Sequence, residues 1–156
     1  EQTTHTIDLA RYLYGDVRRV YAVPVHNRRE RPPFFTIEDA SMVQLAFANG
    51  AAANLYSSCS TAVGGGIYLT LWATDMKAEF TGWDHSVKIE LPGSEVITIP
   101  GEQNIFSKED RAFVDSVKAG ENRGILATYE DGLKATAIAV AANVSMQSGK
   151  VVEAAV

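Results

Sequence analysis

Two residues at the start of the chain have types and a spacing that could transfer a proton. Glu1 precedes His5 by four positions, which places both on one side of a helix if the helix begins there. Histidine titrates near neutrality, and a neighbouring carboxylate can fix its tautomer and orientation, so the pair could act as an acid/base. The same spacing is typical of a surface histidine at a helix start, and by itself it does not separate the two interpretations.

A run of glycines, Gly64 to Gly66, invites comparison with a phosphate-binding loop. Such a loop leads into the N-terminus of a helix, whereas the segment that follows here, IYLTLWA, has the pattern of a strand. We therefore interpret the glycines as the entry to a strand. The sequence contains no GxGxxG pattern and no P-loop lysine, so we predict no cofactor-binding residue in this chain.

The other chemically versatile residues do not form a motif. His5, His26 and His85 are far apart in sequence, so we predict no metal site. Cys59 lies in a predicted strand without a nearby histidine, and we interpret it as a small buried hydrophobic residue. One proline-containing loop is basic and could bind an anionic ligand or simply be solvated; its arginines include Arg28, Arg29 and Arg31.

Composition is that of an ordinary globular domain. The chain has 156 residues, 46% of them hydrophobic and 21% charged, which is enough for one domain with its own core. The formal net charge of −5 argues against a nucleic-acid partner, and no apolar stretch is long enough to predict a membrane span. The single cysteine cannot form an intrachain disulfide and agrees with a reducing, cytoplasmic location.

Helices are predicted at both ends of the chain. Apolar residues at helical spacing favour a helix over Thr4–Gly15, with Asp8 early in it, where the helix dipole stabilises an anion. Two later helices are predicted to begin at capping-box motifs and to end at glycines. Their signals are Ser107 with Asp110 before Gly120, and Thr128 with Asp131 before Gly149.

Between the helices, alternating patterns predict an antiparallel meander. Asn49-Gly50 supplies the left-handed conformations of a tight turn between two of its strands. The predicted strands are Val17–Val25, Val43–Phe47, Leu55–Cys59, Ile67–Ala73, Lys77–Thr81, Val87–Leu91 and Val96–Ile99. The sequence therefore predicts an α+β fold, with one open, mostly antiparallel β-sheet and helices packed on one face.

Large aromatic residues in the strand-rich region cannot all point toward the helices. We interpret most of them as core residues, and those on the other face as part of a ligand cleft or of a contact with another subunit or domain. On that basis we expect the chain to self-associate through the open face of its sheet. The residues are Tyr56, Tyr68, Trp72 and Trp83.

Three segments, taken together and in order, resemble one protein family. EQTTHTIDLARYLYGDVRRVYA is similar to the opening of the C-terminal domain in the glucose–fructose oxidoreductase/inositol dehydrogenase/rhizopine-catabolism (Gfo/Idh/MocA) family, in which a carboxylate precedes a histidine by four positions. TIEDASMVQLAFANGAAANLYSS resembles the family's hairpin, and FVDSVKAGENRGILATYEDGLKATAIAVAANVSMQSGKVV resembles its closing helices. The resemblance spans nearly the whole chain.

The resemblance implies a two-domain enzyme. In this family an N-terminal Rossmann domain binds NAD or NADP and carries a catalytic lysine. It precedes an α+β domain whose open sheet shapes the substrate pocket and commonly forms the subunit interface. Residues 1–156 would then be a single C-terminal substrate-binding and dimerisation domain, inactive without the Rossmann domain of the same polypeptide. Its partners would be that domain, a small-molecule substrate and a second copy of the chain.

The resemblance also implies roles for three residues. His5 would be the acid/base that handles the proton of the substrate hydroxyl as hydride leaves for the nicotinamide. Glu1 stands where the family often has aspartate and would orient His5 or contact the substrate. Asp8 matches the motif too, as a substrate-binding residue or as a helix-dipole partner. The implied function is that of an NAD(P)-dependent dehydrogenase acting on a sugar, cyclitol or related hydroxyl compound.

Two other functions stay open. A member of the family can keep the fold and change its chemistry, for example as an NAD-using glycosidase or a reductase of an unrelated carbonyl compound. The chain could also be a non-catalytic domain that oligomerises through its sheet and carries an incidental histidine. Glu1 and His5 argue against a non-catalytic domain. Nothing in the sequence separates a family member with changed chemistry from a sugar dehydrogenase.

Overall fold

The computed structural model describes residues 3–26 and 33–154. Within them the helices are α1 (Thr4–Tyr14), α2 (Ile105–Ala119) and α3 (Tyr129–Ser148). The strands are β1 (Val17–Val25), β2 (Ala40–Phe47), β3 (Ala52–Ser58), β4 (Tyr68–Ala73), β5 (Met76–Thr81), β6 (Ser86–Glu90), β7 (Ile97–Ile99) and β8 (Val152–Glu153). They form two compact units: unit 1 comprises Glu1–Ala62 and Ala127–Val156, and unit 2 comprises Val63–Leu126.

Unit 1 contains an antiparallel sheet in the order β3-β2-β1-β8, here called the first sheet. β1 pairs along its length with β2, and β2 pairs with β3 across the predicted turn at Asn49-Gly50. Gly50 has the positive φ that a tight hairpin turn requires, 91°. The Asn49 side-chain amide donates to the Tyr14 carbonyl at 2.9 Å, so the turn also ties the sheet to the end of α1.

The core of unit 1 lies between the first sheet and the helices α1 and α3. Val20, Leu45 and Ile138 are almost completely buried there, and burying such a side chain contributes about 1.5–3 kcal/mol. Ser145 of α3 is buried as well, and its hydroxyl accepts a hydrogen bond from the Ala22 N–H at 2.9 Å. Apolar packing and a satisfied polar contact therefore hold α3 against β1.

The opposite face of the first sheet, here called its outer face, carries apolar side chains in solvent. Cross-strand pairing places Val23 beside Met42 and Met42 beside Tyr56, and all three are exposed. Tyr21 and Gln44 pair in the neighbouring row, and both rows line a cavity of about 230 Å³. Strand alternation thus leaves an apolar patch on the side away from the helices.

Unit 2 contains α2 and the second sheet, in the order β4-β5-β6-β7. Leu71 and Ala78 pair on one face of this sheet and are buried. The other face is polar, and there Lys77 Nζ lies 3.0 Å from Glu79 Oε1 and 3.7 Å from Glu90 Oε1. Buried apolar residues therefore lie on one face, and the ion pairs lie on the other.

The predicted α+β class is confirmed, with open antiparallel sheets and helices. The strands belong to two sheets rather than one, because the glycine-containing segment 59–67 forms no strand and interrupts the ladder between β3 and β4. The glycines Gly64 to Gly66 lead into β4, as predicted. Among residues 3–26 and 33–154, no helix is both long and apolar enough to cross a membrane.

Helix α2 begins earlier than predicted. It starts at Ile105, after Asn104, whose φ is +57°, so Ser107 and Asp110 lie inside the helix rather than at its cap. Asparagine adopts this left-handed conformation more readily than most residues, which permits the earlier start. The predicted end is confirmed, since Gly120 has the left-handed φ of a helix-terminating glycine.

The aromatic residues are exposed, so the interpretation of most of them as core residues is wrong. Tyr56 lies on the outer face of the first sheet, Tyr68 and Trp72 lie on the polar face of the second, and Trp83 lies in the turn between β5 and β6. Alternation along each strand places the three strand residues on faces opposite the buried ones. Cys59 follows β3 and is exposed, so the prediction of a buried cysteine is also wrong.

Candidate active site

One side of helix α1 is packed into unit 1. Ile7 and Ala10 are buried, and the Tyr14 ring lies against Phe47 with the ring centroids 5.4 Å apart. The hydrogen bond from Asn49 to the Tyr14 carbonyl satisfies one of the carbonyls at the end of the helix. These contacts fix both the rotation of α1 about its axis and the position of its C-terminal end.

The other side of α1, here called the α1 exposed face, carries His5, Asp8 and Tyr12. With 3.6 residues per turn, these positions lie opposite the buried stripe. His5 and Tyr12 are exposed. His5 belongs to the first turn, which is closed by a 2.9 Å hydrogen bond from the Ile7 N–H to the Thr3 carbonyl. The predicted helix thus begins early enough to include His5.

Two predicted neighbours of His5 have different outcomes. Glu1 lies outside the described residues, so its pairing with His5 stays a prediction. Asp8 lies after the first turn of the helix, Thr4–Ile7, which contains no acidic residue. Asp8 is therefore not where the helix dipole would stabilise its charge most. Its carboxylate instead lies 3.6 Å from Nη1 of Arg11. The predicted contact of Asp8 with the helix dipole is therefore replaced by an ion pair, and its role in substrate binding stays a prediction.

A buried arginine, Arg11, is the centre of a charge cluster at the border of the α1 exposed face, and the side chains of its three aspartate partners are exposed to solvent. The Arg11 side chain is only 8% exposed, and its guanidinium lies 3.6 Å from Asp8, 3.4 Å from Asp16 and 3.7 Å from Asp131. Nη1 also donates to the Asp131 carbonyl at 3.3 Å. The aspartates come from α1, from the residue before β1 and from the start of α3. The cluster therefore joins all three segments.

Asp131 takes part in this cluster while it caps α3. The Asp131 N–H donates to the Thr128 hydroxyl at 3.2 Å, and the Thr128 N–H donates to the Asp131 carboxylate at 2.9 Å, which confirms the predicted capping box. Hydrogen bonds from the Thr128 hydroxyl and N–H hold the pKa of the Asp131 carboxyl below its ordinary value of 3.8, and Arg11 and Lys134 lower it further. Asp131 is therefore an anion at neutral pH.

This arrangement presents an imidazole on a fixed support. α1 is held by the core, by Asn49 and by the Arg11 cluster, whereas His5 itself is exposed. An imidazole in that position can take a proton from a ligand above the face, or give one to it. The Arg11 guanidinium donates hydrogen bonds and is not suited to proton transfer. His5, Asp8 and Tyr12 thus all bring groups that can exchange protons to this face, and His5 is the one that the predicted acid/base motif contains.

Other predicted candidates lie elsewhere. His85 is in the turn between β5 and β6 with a φ of 52°. Arg28, Arg29 and Arg31 lie outside the described residues. Over residues 3–26 and 33–154, no three histidine, cysteine, aspartate or glutamate side chains are grouped as metal ligands.

Two features of unit 1 were not predicted from the sequence. The first is the Arg11 cluster, of which only Asp8, at three positions from Arg11, could have been found from helical spacing. The second is a polar cavity of about 420 Å³ beside the end of β1, lined by residues of three separate segments. No local sequence pattern brings those segments together.

Comparison with known proteins identifies a related sequence family. The model of the GFO/IDH/MocA C-terminal domain matches residues 1–86, which is more than half of the chain. The matched part includes α1 and its exposed face, strands β1 to β3 and the hairpin turn. Among curated proteins, none matches the chain significantly.

Solved structures share the fold over nearly the whole chain. Levoglucosan dehydrogenase in complex with NADH and levoglucosan is 20% identical with a TM-score of 0.81, over 99% of this chain and 49% of that one. Aldose-aldose oxidoreductase from Caulobacter crescentus, complexed with glycerol, is 24% identical with a TM-score of 0.79, over 96% and 45%. An oxidoreductase from Agrobacterium radiobacter, in complex with NAD+, L-tartaric acid and magnesium, is 20% identical with a TM-score of 0.73, over 98% and 48%. The chain thus spans about half the length of these proteins.

Proposed function

The chain belongs to the GFO/IDH/MocA family, whose C-terminal domain it matches, and from this premise we propose that it is the substrate-side domain of an NAD(P)-dependent oxidoreductase. The proposed substrates are sugars, cyclitols or related hydroxyl compounds. Solved proteins of the same fold support that choice, because they include a levoglucosan dehydrogenase and an aldose-aldose oxidoreductase. The observation that carries the proposal is the exposed His5 on a helix whose other side is firmly packed.

His5 is proposed as the acid/base of the reaction. When a substrate alcohol is oxidised, the hydroxyl proton must leave as the carbonyl forms, and a neutral imidazole at hydrogen-bond distance can accept it. Asp8 is proposed to contact the substrate from the next turn of the same face, with its carboxylate steadied by Arg11. Glu1 is proposed to orient His5 from the preceding turn, as its spacing of four positions permits.

The cofactor, NAD or NADP, is assigned to an N-terminal Rossmann domain of the same polypeptide. A dinucleotide site needs a glycine-rich turn that leads from a strand into the N-terminus of a helix, where the pyrophosphate binds. In this chain Gly64 to Gly66 lead into the strand β4 instead. The residues described here therefore do not fit the cofactor, and residues 1–156 are proposed to be inactive alone.

The decisive experiment is substitution of His5 in the full-length protein. His5→Asn should lower kcat by about a hundredfold or more, the usual scale for a positioned acid/base, with a smaller change in KM. His85→Asn is the matched control, because His85 is also exposed and asparagine tolerates its left-handed φ. An unchanged kcat in folded His5→Asn protein would refute the assignment.

The same assay separates a dehydrogenase from a family member with changed chemistry. A dehydrogenase forms one reduced cofactor for each product molecule, so the absorbance of NADH or NADPH rises with product. An NAD-using glycosidase regenerates its cofactor, so product would accumulate without net reduction. Stoichiometric reduction supports the proposal, and product formation without it supports the alternative.

We also propose that the chain self-associates through the outer face of the first sheet. Val23, Met42 and Tyr56 form an exposed apolar patch there, and monomers seldom leave large patches of this kind in water. Two sheets packed face to face would bury about 1,600 Å² or more, typical of a stable dimer. This patch is also what favours a non-catalytic oligomerisation domain as a second candidate function.

Light scattering after size exclusion tests the association. The chain should elute as a dimer, and Met42→Glu should convert it to a monomer by placing a charge within the patch. Trp72→Glu, on the polar face of the second sheet, should leave the dimer intact. A wild-type monomer at high micromolar concentration would contradict the proposal, and loss of the dimer only in Trp72→Glu would assign the contact to unit 2.

A further inference from the structure

We propose that the polar cavity beside the end of β1, separate from the α1 exposed face, binds a neutral polyhydroxylated ligand of about monosaccharide size. The cavity measures about 420 Å³, within the range of small-molecule sites. Its polar lining consists of His26, Thr36, Glu38, Asn143 and Gln147. His5 is not among the described lining residues, and we propose this site as an addition to the active site.

The walls of the cavity rest on well-packed parts of unit 1. The hydrogen bond from the Ala22 N–H to the buried Ser145 hydroxyl fixes the last turns of α3 against β1. The Asp39 N–H donates to the Val25 carbonyl at 2.9 Å, and the Cys59 N–H donates to the Asp39 carbonyl at 3.0 Å. The segment that carries Thr36 and Glu38 is therefore anchored at its C-terminal end to two strands, which favours a preformed site.

The lining groups match hydroxyl groups in hydrogen-bonding capacity. Asn143 and Gln147 are four positions apart on α3 and so lie on one side of the helix. Each amide can donate and accept, as a hydroxyl does, and the Glu38 carboxylate can accept from two neighbouring hydroxyls at once. Pro24 and Met146 add apolar surface, which suits the C–H face of a sugar or cyclitol ring.

The charge of the lining favours a neutral ligand over a phosphorylated one. Glu38 is the acidic residue of the described lining, and none of the described lining residues is lysine or arginine. A phosphate placed in the cavity would meet a carboxylate without a compensating cation from these residues. Like charges repel, so these lining residues should bind a phosphorylated ligand more weakly than a neutral one.

Titration of the isotope-labelled 156-residue chain by NMR tests the proposal with D-glucose and D-glucose 6-phosphate as probes. D-glucose should saturate with a Kd on the order of 1–10 mM, the scale expected for a ligand of that size. The shifted resonances should be those of Thr36 to Glu38 and of the Asn143 and Gln147 side-chain amides. D-glucose 6-phosphate should bind at least about tenfold more weakly.

Substitutions on the cavity wall should weaken binding without unfolding the chain. Glu38→Gln should raise the Kd for D-glucose about tenfold, because hydrogen bonds to a charged group are the stronger ones. Gln147→Leu, on the exposed surface of α3, should raise it by a similar factor. The matched controls are Glu153→Gln, on the exposed strand β8, and Gln103→Leu, in the exposed turn before α2, and both should leave the Kd unchanged.

Three results would overturn the proposal: no saturable shift in the named segments, tighter binding of the phosphorylated sugar, or equal effects of the cavity and control substitutions. If Glu38→Gln loses the dispersed spectrum of a folded chain, Gln147→Leu decides, since its side chain is not part of the core. The titration needs neither cofactor nor turnover. The cavity proposal can therefore fail while the proposed role of His5 holds, and the role of His5 can fail while the cavity proposal holds.

Discussion

Units 1 and 2 use burial very differently. In unit 1 one face of a sheet and two helices share a core in which Val20, Leu45 and Ile138 are almost fully buried. In unit 2 the buried side chains among the described residues are Leu71, Ala78 and Ser116 alone. Turns and hydrogen-bonded ladders form both sheets, but only unit 1 adds a substantial apolar core to them.

The helices repeat this difference. α3 has apolar and small residues buried along its length, with Ile138 at the centre. α2 has an amphipathic sequence, yet Phe106, Phe113 and Val117 on it are exposed, and Ser116 is its one buried residue. Local sequence signals are therefore enough to form both helices, whereas the packing of each helix decides how much that helix stabilises the fold. The proposed active site is accordingly built on unit 1, where α1 is held rigidly.

The strongest test of this comparison removes one large apolar side chain from each unit. Ile138→Ala should lower the free energy of unfolding by about 2–5 kcal/mol, because it leaves a cavity in a closed core. Phe113→Ala should change it by less than about 1 kcal/mol, because that side chain is 59% exposed. Urea unfolding of both variants measures the difference, and equal losses would show that the units do not differ in this way.

Removing a charged contact should also lower the free energy of unfolding more in unit 1 than in unit 2, by less than the loss of an apolar core residue does. Arg11→Met removes a buried guanidinium and leaves Asp8, Asp16 and Asp131 without it, so we expect a loss of about 1–2 kcal/mol. Lys77→Met removes a cation from the polar face of unit 2 and should leave the urea midpoint nearly unchanged. A larger shift for Lys77→Met than for Arg11→Met would reverse the comparison.

Much of the fold follows from local patterns in the sequence. The helix at the start of the chain, the strand Val17–Val25 and the position of the turn at Asn49-Gly50 are found as predicted, because their signals act within a few residues. Of the two turn residues only Gly50 has a positive φ, so the prediction that Asn49 is left-handed as well is wrong. The capping box of Thr128 and Asp131 is another such signal, and both of its hydrogen bonds are present. His5 was likewise selected from a local motif, and its role stays a prediction.

What the sequence did not reveal depends on contacts between distant segments. The division into two sheets depends on which strands pair, and alternation within a strand does not specify its neighbour. The exposure of Tyr56 and Trp72 depends on which sheet faces remain uncovered. Arg11 meets Asp131 across 120 positions of sequence, and no spacing rule connects them. The cavity lined by Glu38 and Asn143 arises in the same way.

The most direct test of the central claim is the pH dependence of kcat/KM for substrate oxidation by the full-length protein. If His5 accepts the proton, the rate should fall on the acidic side of the profile, because a protonated imidazole cannot accept another proton. His5→Asn should lose this limb as well as most of its activity, whereas His85→Asn should keep both. A limb that persists unchanged in folded His5→Asn protein would contradict the account and assign the proton transfer to another group.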